Sequence, residues 1–416
     1  MKVITINFSL TNEAVLRASV VALIVFAPLL IYGVDIYGIN MRISRLIFLI
    51  FAPVLAIAIC RAPEKIAVDK LFMLVLLPFY TYSLMSVLWS NDFNGYLNRM
   101  AMLTEVNLIY IYVRYAGSSE VNSQHILNAY IYSAILPILI AYWQLSNVIF
   151  RFDISEVPFI SLLIPEKYNN LESYGAFGSL DGFSRLSSSF GEPNMFAGYL
   201  STIILLSFLF SARNRTQKNV LLFIQISAIM MLILTVSKSG ILSFAIGYTI
   251  IALKIKKFRH WFKYIVIVLS AILIGLAMQG FDDALNRFTD DTGHVDFMME
   301  VLDSMSNINL FIGEGFGSYE FGSSHRFILT RIYEGGFFGL LFSIVLSLFP
   351  IAILCKIRNT KKTNEEKIIV LAASVSIILG LNLYDYFIHL FPWTVAAITA
   401  NVFLKKGLNK NHGISK

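Results

Sequence analysis

The chain has 416 residues, 57% of them hydrophobic and 14% charged, with a mean hydropathy of +0.69. Soluble domains carry about 25% charged residues, so this chain has too little polar surface to cover a water-soluble globule. Disorder and nucleic-acid binding are excluded as first readings despite the net charge of +7, and two cysteines, Cys60 and Cys355, exclude a disulfide framework. What remains is an integral membrane protein, whose basic excess reports topology rather than a polyanion footprint.

A bilayer-crossing helix needs about 20 mostly apolar residues. The first such run, 16–36, contains Pro28 and no small-residue cleavage pattern, so it is expected to stay as a span rather than leave as a signal peptide. Runs at 44–60, 71–89, 98–116 and 126–148 follow, and then a long external segment at 149–192. Four more runs, at 193–212, 219–237, 239–255 and 262–280, lead to a second external segment at 281–335. The last three lie at 336–356, 368–386 and 388–404, and the final two are close enough to form a re-entrant pair instead. The short turn Val236-Ser-Lys-Ser239 makes the seventh and eighth spans a tight hairpin.

Twelve crossings with both ends cytoplasmic put most Lys and Arg inside. The runs Arg213-Arg215-Lys218, Lys254-Lys256-Lys257-Arg259 and Lys356-Arg358-Lys361-Lys362 then recur at alternate loops. The expected fold is one all-α, polytopic domain over residues 1–416, with about twelve transmembrane helices and two long external loops. In the second loop Phe297, Met298, Val301, Leu302 and Met305 recur at helical spacing, which predicts an amphipathic helix on the membrane surface or against the span tops.

Candidate chemistry clusters at the outer mouth. Arg185-Leu-Ser-Ser-Ser-Phe-Gly-Glu-Pro-Asn194 runs into the sixth span, with Pro193 and Asn194 suited to a helix start. Arg185 stands near that helix's positive end, where an anion can be received, although an arginine reaching for lipid headgroups has the same sequence. Lys238, in Thr235-Val-Ser-Lys-Ser-Gly240, sits outside against the positive-inside bias and calls for an anionic partner, either a substrate or a lipid phosphate.

Further on, Gly313-Glu-Gly-Phe-Gly317 precedes Ser323-Ser-His325-Arg326. An imidazole with a pKa near 6.5 can take a proton from a hydroxyl at neutral pH. Arg331 and Glu334 follow, as weaker binding candidates. Glu105 lies within the fourth span, where a carboxylate is costly; it is either a functional group or the ion-pair partner of Arg99 or Arg114. Asp385 and His389, four residues apart, share a helix face. No histidine pairs with cysteine at metal-ligand spacing, so neither metal nor cofactor is expected.

In this order, Arg185…Phe190-Gly-Glu-Pro-Asn194, Leu234-Thr-Val-Ser-Lys-Ser-Gly240, Phe311-Ile-Gly-Glu-Gly-Phe-Gly317 and His325-Arg…Gly336-Phe-Phe-Gly339 resemble the O-antigen polymerase and O-antigen ligase family of bacterial envelope enzymes. The similarity covers about residues 180–345. It implies a metal-independent, GT-C-like glycosyltransferase of the inner membrane, with its active site facing the periplasm. The donor implied is a glycan on undecaprenyl pyrophosphate. The resemblance assigns Arg185 and Lys238 to the pyrophosphate and His325 to the base; the positive charge of Arg326 or Arg331 is expected to add to the pyrophosphate contact. Asn194, Arg331, Glu334 and Asp385 are secondary candidates.

Two positions depart from the family pattern. Lys238 stands where arginine is usual, keeping the charge without the bidentate fork. Arg326 stands where asparagine, serine or glutamine usually follows the histidine. The polymerase is favoured by the Phe/Tyr/Ile-rich composition and these two departures; the ligase, which moves the glycan to a lipid A core, and a lipid-linked glycan flippase are the alternatives. Expected partners are the lipid-linked oligosaccharide, membrane lipid, a chain-length regulator and a flippase, with no nucleic acid.

Overall fold

The computed structural model describes residues 12–29, 33–36, 39–61, 70–90, 92–116, 120–150, 177–180, 183–210, 212–259, 309–318, 327–358, 365–383 and 390–404. Among them the chain is helical apart from two antiparallel hairpins and short turns. Helix α1 (Asn12–Phe26) leads to a hairpin of β1 (Gly33–Ile36) and β2 (Ile39–Arg42). Next come α2 (Ile43–Arg61), α3 (Lys70–Met85), α4 (Phe93–Ala116), α5 (Glu120–Tyr132) and α6 (Ile135–Phe150). A second hairpin, β3 (Phe177–Leu180) with β4 (Phe183–Leu186), precedes α7 (Pro193–Ser207), α8 (Arg215–Leu234) and α9 (Lys238–Lys254). The one-turn α10 (Asn309–Ile312) and the long α11 (Phe327–Arg358) are followed by α12 (Glu365–Leu383) and α13 (Leu390–Leu404).

Three helical stretches among the described residues, Ser123–Ser146, Arg215–Leu234 and Ile328–Leu348, are long and apolar enough to cross a membrane. They make the chain a helical membrane protein. On α8 the exposed side chains Leu222, Phe223, Ile226 and Ile229 give an apolar outer face suited to lipid.

The expected spans at 44–60, 193–212, 219–237, 239–255, 368–386 and 388–404 fall on α2, α7, α8, α9, α12 and α13. Others differ, for reasons of backbone chemistry. The run 16–36 is helical only to Phe26, because the residue before Pro28 is steered out of the helical region. The run 126–148 coincides with the membrane-crossing stretch Ser123–Ser146 and is interrupted only by a turn at Ser133 and Ala134, where in an unbroken helix the Pro137 ring would collide with the Ser133 carbonyl one turn back. The helix expected from 336 already begins at Phe327 and kinks at Gly336, whose φ of 51° and ψ of −136° are not helical. The two hairpins fall outside a reading based on apolar runs. The run 262–280 and the stripe 297–305 lie outside the described residues.

The core is built around α7. Every side chain on it except Asn194 and Met195 is buried, and α5, α8, α9, α12 and α13 pack around it. A helix enclosed on all sides must satisfy its own polar groups. Ser201 Oγ lies 2.8 Å from the Ala197 carbonyl, Thr202 Oγ1 donates to Tyr199 O at 2.8 Å, and Ser207 Oγ donates to Ile204 O at 2.6 Å. The hydroxyls of Tyr130 and Tyr199 bond Thr202 and Ser133 at 2.7 and 2.6 Å.

Glu105 finds neither expected partner. Arg99 and Arg114 stand about 9 and 14 Å from it along the same helix axis, whereas Arg45 of α2 reaches it side-on and forms a buried ion pair. Arg114 instead donates to Asn401 Oδ1 of α13. Removing one partner of such a pair strands a charge. Arg45→Met is therefore expected to lower unfolding stability in detergent by about 3–5 kcal/mol, and Arg45→Met with Glu105→Leu by far less. Denaturant titration checks the difference.

Candidate functional site

The segment after Arg185 enters the core through three consecutive serines. Arg185 itself pairs with Gly178 in the β3–β4 hairpin, and Leu186 is fully buried. Ser188 has a φ of 52°, uncommon for a non-glycine residue, and is held there by Gln144 of α6. The Gln144 Oε1 accepts the Ser188 N–H at 2.8 Å, and its Nε2 donates to the Ser188 carbonyl at 3.3 Å. One side-chain amide thus serves both backbone polar groups of a buried residue as a strand neighbour would. Ser188 Oγ donates to Pro137 O and Ser189 Oγ to Pro28 O, at 2.6 and 2.8 Å. Gly191 then turns the chain, Glu192 takes the N-cap position and Pro193 opens α7 as expected.

The hairpin between α8 and α9 meets this segment. Ser237 caps α9, its Oγ accepting the Gly240 N–H at 3.1 Å, and the same hydroxyl donates to Asn194 Oδ1 at 2.7 Å. Asn194 Nδ2 in turn donates to Glu192 Oε1 at 3.1 Å. Below these bonds the helices touch through backbone. A Cβ on Gly240 would fall 2.2 Å from the Ala197 Cβ, so only glycine fits. Ser201 Oγ also reaches the Gly240 carbonyl at 3.0 Å. The amino ends of α7 and α9 therefore lie side by side, with the exposed Lys238 as the first residue of α9. Phe190 packs against Phe391 at the start of α13, with ring centroids 6.1 Å apart.

A second cluster surrounds the kink in α11. Breaking the helix at Gly336 leaves carbonyls of the preceding turn without helical donors, and the glycine turn supplies them. The Glu314 N–H bonds Tyr333 O at 2.8 Å and the Gly315 N–H bonds Glu334 O at 3.2 Å. The Glu334 carboxylate accepts the Gly317 N–H at 3.1 Å and pairs with Arg331 at 2.7 Å, both side chains almost wholly buried. The Arg331 guanidinium stands 5.6 Å from the Phe316 ring centre. The Tyr82 hydroxyl of α3 donates to Ile312 O, Ser86 Oγ accepts the Phe316 N–H, and Ser318 bonds Ser90.

Of the residues singled out in the sequence, Asn194 and Lys238 thus come together, with the backbone of Arg185 in the hairpin just upstream. Arg331 and Glu334 face each other inside the protein. His325, Arg326, Asp385 and His389 lie outside the described residues. Glu192, Ser237 and Gln144 are the residues that sequence reasoning missed. Ser237 was detectable, since it stands three residues before Gly240 as an N-cap should; Gln144 carries no local signal.

No protein-family model matches the chain, and neither does any curated protein.

Contact at Gly240 makes a compensating test available. Gly240→Ala forces α7 and α9 apart and is expected to lower the unfolding temperature, while adding Ala197→Gly vacates the same space and restores most of the loss. Equal unfolding temperatures for Gly240→Ala alone and the parent would contradict the contact.

Proposed function

We propose that the chain is a membrane glycosyltransferase of the O-antigen polymerase type. It moves a growing glycan from undecaprenyl pyrophosphate to a hydroxyl of a second lipid-linked repeat unit at the periplasmic face. The observation that carries this reading is the meeting of α7 and α9 at their amino ends, with Lys238 placed there. Each helix amino end carries roughly half a positive charge, and Lys238 adds its own beside them. Two adjacent helix amino ends and a lysine suit a pyrophosphate.

The chemistry follows from these parts. The bond between the anomeric carbon and the pyrophosphate oxygen breaks as the acceptor oxygen attacks from the opposite face, so configuration inverts. Arg185 and Lys238, with Arg326, stabilise the departing pyrophosphate. His325 takes the acceptor's proton, a contribution of about 10²–10⁴-fold in rate. No carboxylic acid is required to protonate the leaving group, because it departs as a stable anion, unlike the alcohol of a glycoside. Twelve crossings with cytoplasmic ends, in the bacterial inner membrane, complete the reading.

His325→Ala is expected to abolish polymer formation at unchanged protein level; full-length chains from that variant would contradict the base. Arg185→Ala should raise the donor KM more than Arg185→Lys does, because lysine keeps the charge. The glycan ladder of a strain lacking the protein separates the polymerase from the ligase. Single repeat units on the core mark a lost polymerase. Uncapped core with accumulated lipid-linked polymer marks a lost ligase.

A further inference from the structure

The bonds that join α7 to α9 have a direction. The Glu192 carboxylate can only accept, so the Asn194 group 3.1 Å away is the amide N–H, and its carbonyl faces Ser237. A serine hydroxyl carries one proton. Ser237 gives it to Asn194 at 2.7 Å while its oxygen accepts the Gly240 N–H at 3.1 Å. A one-way chain therefore runs from the backbone of the first turn of α9 through Ser237 and Asn194 to Glu192. Lys238 directly follows Ser237, so what fixes Ser237 also fixes the base of the lysine relative to α7. The neighbouring Val236 has a φ of 48°, unfavourable for a β-branched residue, and the chain's hold on Ser237 opposes its relaxation.

We propose that Asn194 is a positioning residue for Lys238 and not a ligand of the donor. Its amide locks the hairpin onto the Glu192 end of α7 and so sets where the ammonium meets a pyrophosphate. The inference rests on reading Lys238 as part of a pyrophosphate site. It removes Asn194 from the binding shell and assigns Glu192 the role of anchoring the amide.

The test measures binding of farnesyl pyrophosphate to the full chain in detergent micelles, with the unfolding temperature of every variant recorded. Lys238→Ala and Asn194→Ala are each expected to weaken binding about tenfold, the range set by losing one charge-assisted contact. Because Asn194 acts through Lys238, the double variant is expected to bind no more weakly than Lys238→Ala alone. An additive loss of about a hundredfold means that Asn194 touches the ligand, and overturns the proposal.

A swap covers the case in which Asn194→Ala does not fold. Asn194→Asp sets two carboxylates face to face and is expected to weaken binding about tenfold. Adding Glu192→Gln reverses donor and acceptor while keeping both bonds and the total charge, and should return affinity to within about threefold of the parent. Failure of that rescue at a parental unfolding temperature overturns the proposal. Unchanged binding in Asn194→Ala beside weakened binding in Lys238→Ala overturns it too, with the pyrophosphate site left standing. Parental binding in both Lys238→Ala and Arg185→Ala removes the pyrophosphate reading itself, and the proposal with it.

Discussion

Two helices that run parallel with their amino ends in contact bring like partial charges together, about half an elementary charge on each. Bundles commonly avoid this by antiparallel packing. Here α7 and α9 are held in that arrangement by a backbone contact at Gly240 and Ala197, and by the bonds from Ser237 to Asn194 and from Ser201 to Gly240. The rest of the architecture supports it. Burial of α7 on every side fixes one partner, the short α8–α9 hairpin fixes the other, and Gln144 secures the chain that leads into α7. What results is two helix amino ends beside an exposed lysine, with the Glu192 carboxylate bonded among them. On that arrangement the proposed capture of an anionic donor depends.

The second cluster solves a different problem. A kink inside a helix apolar enough to cross a membrane exposes carbonyls that hydrocarbon cannot solvate. Residues 313–318 dock there and bond them, and the buried pair of Arg331 and Glu334 joins that turn to α11. Buried ion pairs contribute little net stability but specify arrangement where their remaining donors and acceptors are used. The Gly336-Phe-Phe-Gly339 pattern thereby acquires a backbone explanation. Gly336 makes the kink, and a Cβ on Gly339 would collide with the Arg331 carbonyl at 1.7 Å.

Helix positions were legible in the sequence wherever an apolar run was uninterrupted, as for α2, α8 and α9, because hydrocarbon length sets a minimum that composition reveals directly. Boundaries failed at Pro28 and Gly336, where one residue overrides the hydropathy of its neighbours. The site was legible at its local features: the proline opening α7, the tight hairpin at Lys238, the glycine turn. Its long-range features were not. Nothing near Glu105 points to Arg45, and nothing near Gln144 points to Ser188, because both are joined only by how separate helices pack. Glu334 illustrates the middle case. Its charge at the edge of an apolar run marks it as special, but only the kink explains that it serves the Gly317 amide.

The central claim is that an anionic lipid donor is held where the amino ends of α7 and α9 meet. Photo-crosslinking answers it most directly, using a prenyl pyrophosphate with a diazirine next to the phosphates, followed by peptide mapping of the labelled chain. The account predicts label on peptides covering 185–194 and 235–240, displaced by unlabelled farnesyl pyrophosphate. Label concentrated instead at the opposite end of α9, on 254–259 and 365–367, would contradict it.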